Sequence, residues 1–498
     1  MSTIAWVALA GIVVIALLGF LGRRKPDLDL AEWTVGGHKF GVATTWLLQA
    51  GEVFTTFTFL GTAGLVVSGG AASFYSMPYV PLGYLALYFI APRIWRIARA
   101  RGHLTQADFL EDAYSSRTVG IVVAIAGVLF LLPYLQLQIT GLGLIVELVT
   151  GNHSMGAWSM VIAFVLVVAF VLWSGLRGVA TTAYFKDVLM IVMLFVVCIA
   201  VPIHYTGGFT HVFQVVQEKM PEMLSVHGTE AYGIPWYISN MAISAIGVAF
   251  ATMPHNWPPI MSARNSTVLR RNYLWLPFYN TLIVMPLVVG YVALVVLGAN
   301  ADPDSALLSL ASGMFPEWVM GLVAVAGIST AMVPAASLLI AVSTLVSRNL
   351  VRTRSAKAQF TVTQVTVVVA TALALFLSIA MPNLLANLLL LTFSGLDQLA
   401  PAIAAALLLR RKVGSVSVVA GMLAGLAVVI GYTFWWTLPW AISEGIIGLA
   451  VNVVVVVVVE AMRRAMSRRA GDEAVSFSSE EEVIEAVGRR GLTEGEPA

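Results

Sequence analysis

The sequence predicts an all-α polytopic membrane protein with thirteen transmembrane helices, a five-plus-five inverted-repeat core, an external N-terminus and a cytoplasmic C-terminus. Three observations carry that expectation. Of 498 residues, 59% are apolar and only 11% are charged, against roughly 25% charged in soluble domains. A soluble globule of this length would need far more polar surface. The apolar residues gather into thirteen runs of spanning length, and the basic residues sort to one side of those runs. The composition excludes a cytosolic enzyme, a nucleic-acid binder and a disordered scaffold. A net charge of +2 argues for no acidic partner, and the single cysteine, Cys198, excludes an internal disulfide or a cysteine-based metal site.

In order, the runs are 4–22, 42–68, 73–98, 118–149, 155–174, 182–205, 234–260, 272–299, 317–347, 359–380, 384–409, 415–434 and 442–463. Each is bounded by charge or by Gly/Pro clusters. The first is preceded by no basic residue and followed by Arg23, Arg24 and Lys25, so it reads as a retained span, not a signal peptide. The units that follow are 1–41 (first helix and basic loop), 42–205 (first repeat, helices 2–6) and 206–233 (external loop with a short surface helix). After these come 234–409 (second repeat, helices 7–11), 410–465 (helices 12 and 13) and 466–498. The last, around Glu480-Glu481-Glu482, reads as a solvated, mostly disordered cytoplasmic tail.

With thirteen spans and the N-terminus outside, 27 of the 28 Lys and Arg residues fall in cytoplasmic segments and only Lys219 outside. Lys/Arg bias of this kind sets orientation, and one missed early span would destroy the pattern. On this reading all basic residues lie in loops or at span ends, none at the midplane.

Two spans are unusually polar and interrupted. The 42–68 run holds Gln49, Gly51, Glu52, Thr55, Thr56, Thr58 and Gly61; the 234–260 run holds Asn240, Ser244, Gly247, Thr252, Pro254, His255 and Pro258. Irregular backbone survives at bilayer depth only where protein buries it or a cavity needs it. A pair of interrupted spans at matching places in two halves points to a transporter site. These are the second and seventh spans, each opening a five-helix block; five is odd, so the blocks are inverted.

Residues Gly51-Glu52-Val53-Phe54-Thr55-Thr56-Phe57-Thr58-Phe59-Leu60-Gly61, Gly175-Leu176-Arg177-Gly178 with Lys186-Asp187, and Ala326 to Thr330 resemble the sodium:solute symporters, which have the leucine-transporter fold. The first stretch is similar to the family's monocarboxylate-transporting branch. The resemblance implies a coupling Na+ held by the carbonyls of Ala50, Val53 and Ala326 and the hydroxyls of Ser329 and Thr330. A hard cation does want oxygen ligands, and 326, 329 and 330 share a helix face. Pro334 also leaves the Thr330 carbonyl without its usual N–H partner. The competing reading is that Ser329 and Thr330 bond back into their own helix. Met332 and Val333 stand where relatives with a second sodium carry hydroxyls, which implies one sodium per substrate.

Glu52 is an intramembrane carboxylate and so a functional candidate, balancing the ion or ordering the break; the alternative is a structural Glu. Asp187 is read as drawing the leaving ion, or as a partner of Lys186 or Arg177. Asp397 is a proton-handling or network residue, and His255 a relay or a structural histidine. Substrate candidates are Thr55, Thr56, Phe57, Tyr134, Gln136, Gln138, Trp236, Asn240 and Ser244, each of which could instead pack the bundle. The expected function is sodium-coupled import of a small monocarboxylate such as pyruvate, lactate, acetate or propionate by alternating access. The alternative is a sodium- or proton-coupled alanine- or proline-like symporter, and a transporter-like sensor ranks below both. No phosphate loop, H-E-x-x-H or G-x-S-x-G motif occurs, so no enzymatic activity is expected. The expected setting is a monomer, multi-pass in the cell membrane, whose partners are lipid and an anionic or zwitterionic solute and not nucleic acid.

Overall fold

The structure, a computed structural model, describes residues 2–22, 30–151, 157–226, 231–298, 301–353, 355–409, 413–437 and 439–470. Outside them lie the acidic tail and the basic residues Arg23, Arg24, Lys25, Arg354, Arg410, Arg411 and Lys412. Among the described residues the protein is helical, with only an isolated bridge between Phe40 and Ala263. Among the described residues ten helices are long and apolar enough to cross a membrane, or eleven if one bent pair counts as a span.

The elements in chain order are α1 (Thr3–Gly22), α2 (Val42–Val53), α3 (Thr62–Gly69), α4 (Tyr79–Arg101), α5 (Arg117–Thr150) and α6 (Ala157–Thr206). Then follow α7 (Phe209–Lys219), α8 (Ile234–Ala249), α9 (Trp257–Ser262), α10 (Ser266–Asn280), α11 (Val284–Val296) and α12 (Glu317–Thr344). The last are α13 (Ala356–Ala380), α14 (Leu385–Leu396), α15 (Ala400–Leu408), α16 (Ser415–Phe434) and α17 (Glu444–Ala470). Gly175 breaks α6 in two with φ of 58°, a left-handed turn that glycine adopts without a Cβ penalty. The short helix α7 falls within the stretch 206–233, of which residues 227–230 lie outside the described residues.

Helix α12 is the axis of the molecule. Its most apolar window is wholly enclosed, packed by α1, α5, α6 and α13; a helix apolar on every side needs such a jacket. Pro334 lies within it without ending it. In contrast, α1 and α17 remain largely uncovered by protein, and α17 packs chiefly on α16.

Two interruptions open the interior. α2 stops at Val53, Phe54 turns extended (φ −95°, ψ 90°), and a π-helical turn over Phe57–Gly61 restarts the chain into α3. The second lies between α8 and α9, which meet at a 40° bend. There Ala251 takes a left-handed φ of 48°, a conformation that costs an L-residue about 1–3 kcal/mol and persists only where neighbours enforce it. Gln106 Nε2 donates to the Ala251 and Thr252 carbonyls (3.1 and 3.0 Å), and Trp257 Nε1 to that of Ala251 (2.8 Å).

Candidate functional site

A cavity of about 60 Å³ lies where the two interruptions face each other. Its wall includes Gln49, Glu52, Thr55 and Phe57 from the α2 break, and Tyr79 and Tyr84 from α4. Tyr134 of α5, His255 and Asn256 of the α8–α9 break, Tyr273 of α10 and Phe393 of α14 complete it. The Glu52 carboxylate reaches to 3.7 Å from His255 Nε2, and the His255 ring stands edge-on to Tyr134 with centroids 5.5 Å apart. Gln49 Nε2 donates to the Tyr273 hydroxyl (2.9 Å), which fixes one side of the wall. The wall is thus rich in phenol, amide and hydroxyl groups on an aromatic lining, with one carboxylate.

Of the expected substrate residues, Thr55, Phe57 and Tyr134 line the cavity. The others do not. Thr56, in the α2 break, donates to Gln138 Oε1 of α5 at 2.6 Å, while Gln138 Nε2 is buried without a hydrogen-bond partner among the described residues. Gln136 Nε2 turns outward to the Leu377 and Met381 carbonyls (3.3 and 3.0 Å), capping the end of α13. Trp236 packs edge-on against Tyr75 and Tyr232, Asn240 donates to its own helix at the Trp236 carbonyl (2.9 Å), and Ser244 is buried off the cavity. The mid-span tyrosines Tyr79, Tyr84 and Tyr273 were missed. Their signal was available, since a buried phenol needs a polar partner, and two of them on α4 with a third on α10 mark a polar interior.

The oxygens expected around a sodium ion are engaged within the protein. The Ala50 carbonyl accepts from Phe54 N–H (3.1 Å) and that of Val53 from the Thr58 hydroxyl (2.8 Å). Ser329 and Thr330 both donate to the Ala326 carbonyl, at 2.8 and 2.6 Å, which is the back-bonding alternative.

Lys186 is the largest departure from the sequence reading. Placed there in an inner segment, it is fully buried, and its Nζ donates to the carbonyls of Gly51 (2.6 Å) and Phe54 (2.7 Å). Asp187 lies 3.4 Å from it and is equally enclosed, so of its two proposed partners Asp187 takes Lys186. Arg177 pairs instead with Glu32 and donates to the Gly36 carbonyl (2.8 Å). The expectation that no basic side chain reaches the interior is therefore corrected. The α2 break supplies the acceptors that offset the cost of burying the ammonium.

Asp397 is a network residue at the other break: Thr252 Oγ1 donates to its Oδ1 at 2.5 Å. A Cβ on Gly247 would lie 2.6 Å from that same oxygen, so only glycine lets the carboxylate come so close.

Compared with known proteins, residues 33–428 match the family model described as "Sodium:solute symporter family". The chain belongs to the sodium:solute symporter family. It is 32% identical over 466 residues to the uncharacterized symporter YhjB of Bacillus subtilis, spanning 90% of this chain and 95% of that one. A monocarboxylate transport permease protein of Rhizobium johnstonii is 29% identical over 346 residues, 68% of each chain. Among solved structures, an outward-open Na+-coupled sialic acid symporter superposes with a TM-score of 0.74 at 14% identity, covering 93% of this chain and 98% of that one; it shows the shared fold. This symporter is accordingly a multi-pass membrane transporter and not an enzyme, and relatives of its kind couple solute to sodium.

Proposed function

We propose that this symporter imports a small monocarboxylate of the pyruvate, lactate or propionate kind, coupled to a monovalent cation, by alternating access around the two breaks. The observation that carries the reading is the size and lining of the cavity. At 60 Å³ it has room for about four to six waters, which suits a three-carbon acid. Phenol, amide and hydroxyl groups offer donors to one carboxylate. The monocarboxylate named for the Rhizobium relative supports the same reading.

Glu52 favours a second reading. A carboxylate in the wall would repel an anion and pair with the ammonium of an alanine- or proline-like zwitterion. Uptake of labelled pyruvate into proteoliposomes decides between them. Competition by lactate and propionate, with none by proline or glucose, is expected; strong inhibition by proline with none by lactate would overturn the monocarboxylate. Thirteen spans with an external N-terminus remain our proposal for topology. A cysteine replacing Gln217 should then label from outside and one replacing Ser116 from inside, and labelling of both from one side would reject it.

A further inference from the structure

We propose that the Lys186 ammonium is the resident cation of the α2 break, and that no sodium ion binds between α2 and α12 in this chain. The inference rests on the symport reading for its meaning in transport, though not for its test. A helix end leaves its last carbonyls without intrahelical partners and carries partial negative charge, so the end of α2 calls for a positive group. Lys186 supplies one. Two of the N–H donors of this ammonium go to the carbonyls of Gly51 and Phe54, at 2.6 and 2.7 Å, and the Asp187 carboxylate stands 3.4 Å away as counter-charge. Two of the carbonyls expected around an ion already accept hydrogen bonds, Val53 from Thr58 and Ala326 from Ser329 and Thr330. The Glu52 and Asp187 carboxylate oxygens, buried without hydrogen-bond partners among the described residues, supply the negative charge that the ammonium meets.

The surroundings fit this occupant. Gly51 brings the backbone close, since a Cβ there would lie 3.4 Å from Nζ, and the α12 side chain at the same spot is the apolar Val333. The other charged or titratable groups in reach are Glu52 on α2, with His255 beyond it, and Tyr279 of α10 facing Asp187. Repulsion from the ammonium alone, at ~4 Å and an effective dielectric near 20, would cost a second cation roughly a thousandfold in affinity. The Asp187 and Glu52 carboxylates offset this only in part, because they are already shared with Lys186. Lysine and sodium therefore exclude each other here.

Thermal unfolding of the purified full-length chain in detergent, followed by tryptophan fluorescence, tests this. Sodium is exchanged for choline at constant ionic strength. The unsubstituted chain should melt at the same temperature in both media, whereas Lys186→Met should gain a saturable, sodium-specific rise that Thr330→Ala removes. A sodium-specific rise in the unsubstituted chain that Thr330→Ala abolishes would overturn the proposal, and that comparison decides even if Lys186→Met does not fold. In proteoliposomes, labelled pyruvate should exchange equally well in sodium and in choline media; exchange that requires sodium and is lost in Thr330→Ala counts against the proposal. Exchange in neither medium refutes the pyruvate reading alone, and the melting titration still decides the role of Lys186.

Discussion

Replacing Lys186 by methionine keeps most of the stem's volume and deletes the ammonium. Two carbonyls, Gly51 and Phe54, then lose a charge-assisted donor at 2.6 and 2.7 Å, and a buried acceptor left without its partner costs about 1–3 kcal/mol. Asp187, whose side chain is 1% exposed, also loses its counter-charge, and removing one member of a buried pair costs about 3–5 kcal/mol. The terms overlap, because one ammonium serves both carbonyls and the carboxylate, so we expect a net loss of ~3–5 kcal/mol. Adding Asp187→Asn removes the stranded charge and should restore roughly half of that, a coupling within the range seen for residues in contact. The assay is a double-mutant cycle on unfolding in mixed micelles. A Lys186→Met chain within about 1 kcal/mol of the parent, or a double variant no more stable than the single, would refute the view that the ammonium holds the α2 break.

Three further outcomes follow from the packing. Gly141→Ala places a Cβ 1.9 Å from Thr56 Cγ2, forcing α5 away from the α2 break. It should lower stability by about 1–3 kcal/mol and slow uptake, and an unchanged melting temperature would show the contact to be soft. Asp397→Leu should destabilise more than Asp397→Asn, since asparagine can still accept from the Thr252 hydroxyl and leucine strands it; equal losses would deny Asp397 its place at the α8–α9 break. Outside the spans, burial pushes the Asp304 carboxyl up to about 7, with the Leu385 N–H pulling the other way and Asp302 adding to the rise. The unfolded carboxyl titrates near 3.9, so between about pH 4 and 7 the folded chain binds more protons and stability must fall as pH rises. Asp304→Asn should flatten the melting curve in that window, and a slope that survives the substitution would contradict the assignment.

Much of the fold was legible in the sequence. Apolar runs longer than a bilayer is thick can form only helices, and the helix ends near 117, 150, 317, 380, 415 and 434 fall where charge or Gly/Pro stops the run. Both breaks were legible too, because Gly51 with the threonines after it and Gly247 with Pro254 weaken the helix locally. The candidate site was legible in part. Thr55, Phe57 and Tyr134 line the cavity, while Thr56, Gln136, Gln138 and Asn240 bond elsewhere, Trp236 packs against tyrosines and the Ser244 hydroxyl is buried without a hydrogen-bond partner among the described residues. Which partner a polar side chain within a span meets is decided by packing, and sequence order does not say it.

The sequence by itself determined what acts over one or two helical turns: where the chain is apolar enough to span, where it breaks, and that Ser329 and Thr330 lie within reach of the Ala326 carbonyl. The tertiary structure alone decided what fills the breaks. Lys186 stands at the border of an apolar run, where a lysine ordinarily extends toward water, and nothing within its own helix contradicts that. It turns inward because chain 135 and 132 residues away presents two unpaired carbonyls. In the same way Asp397 is drawn to Thr252, 145 residues distant. Burying a charge is tolerable only when partners are already in place, and those partners come together only once the helices have packed.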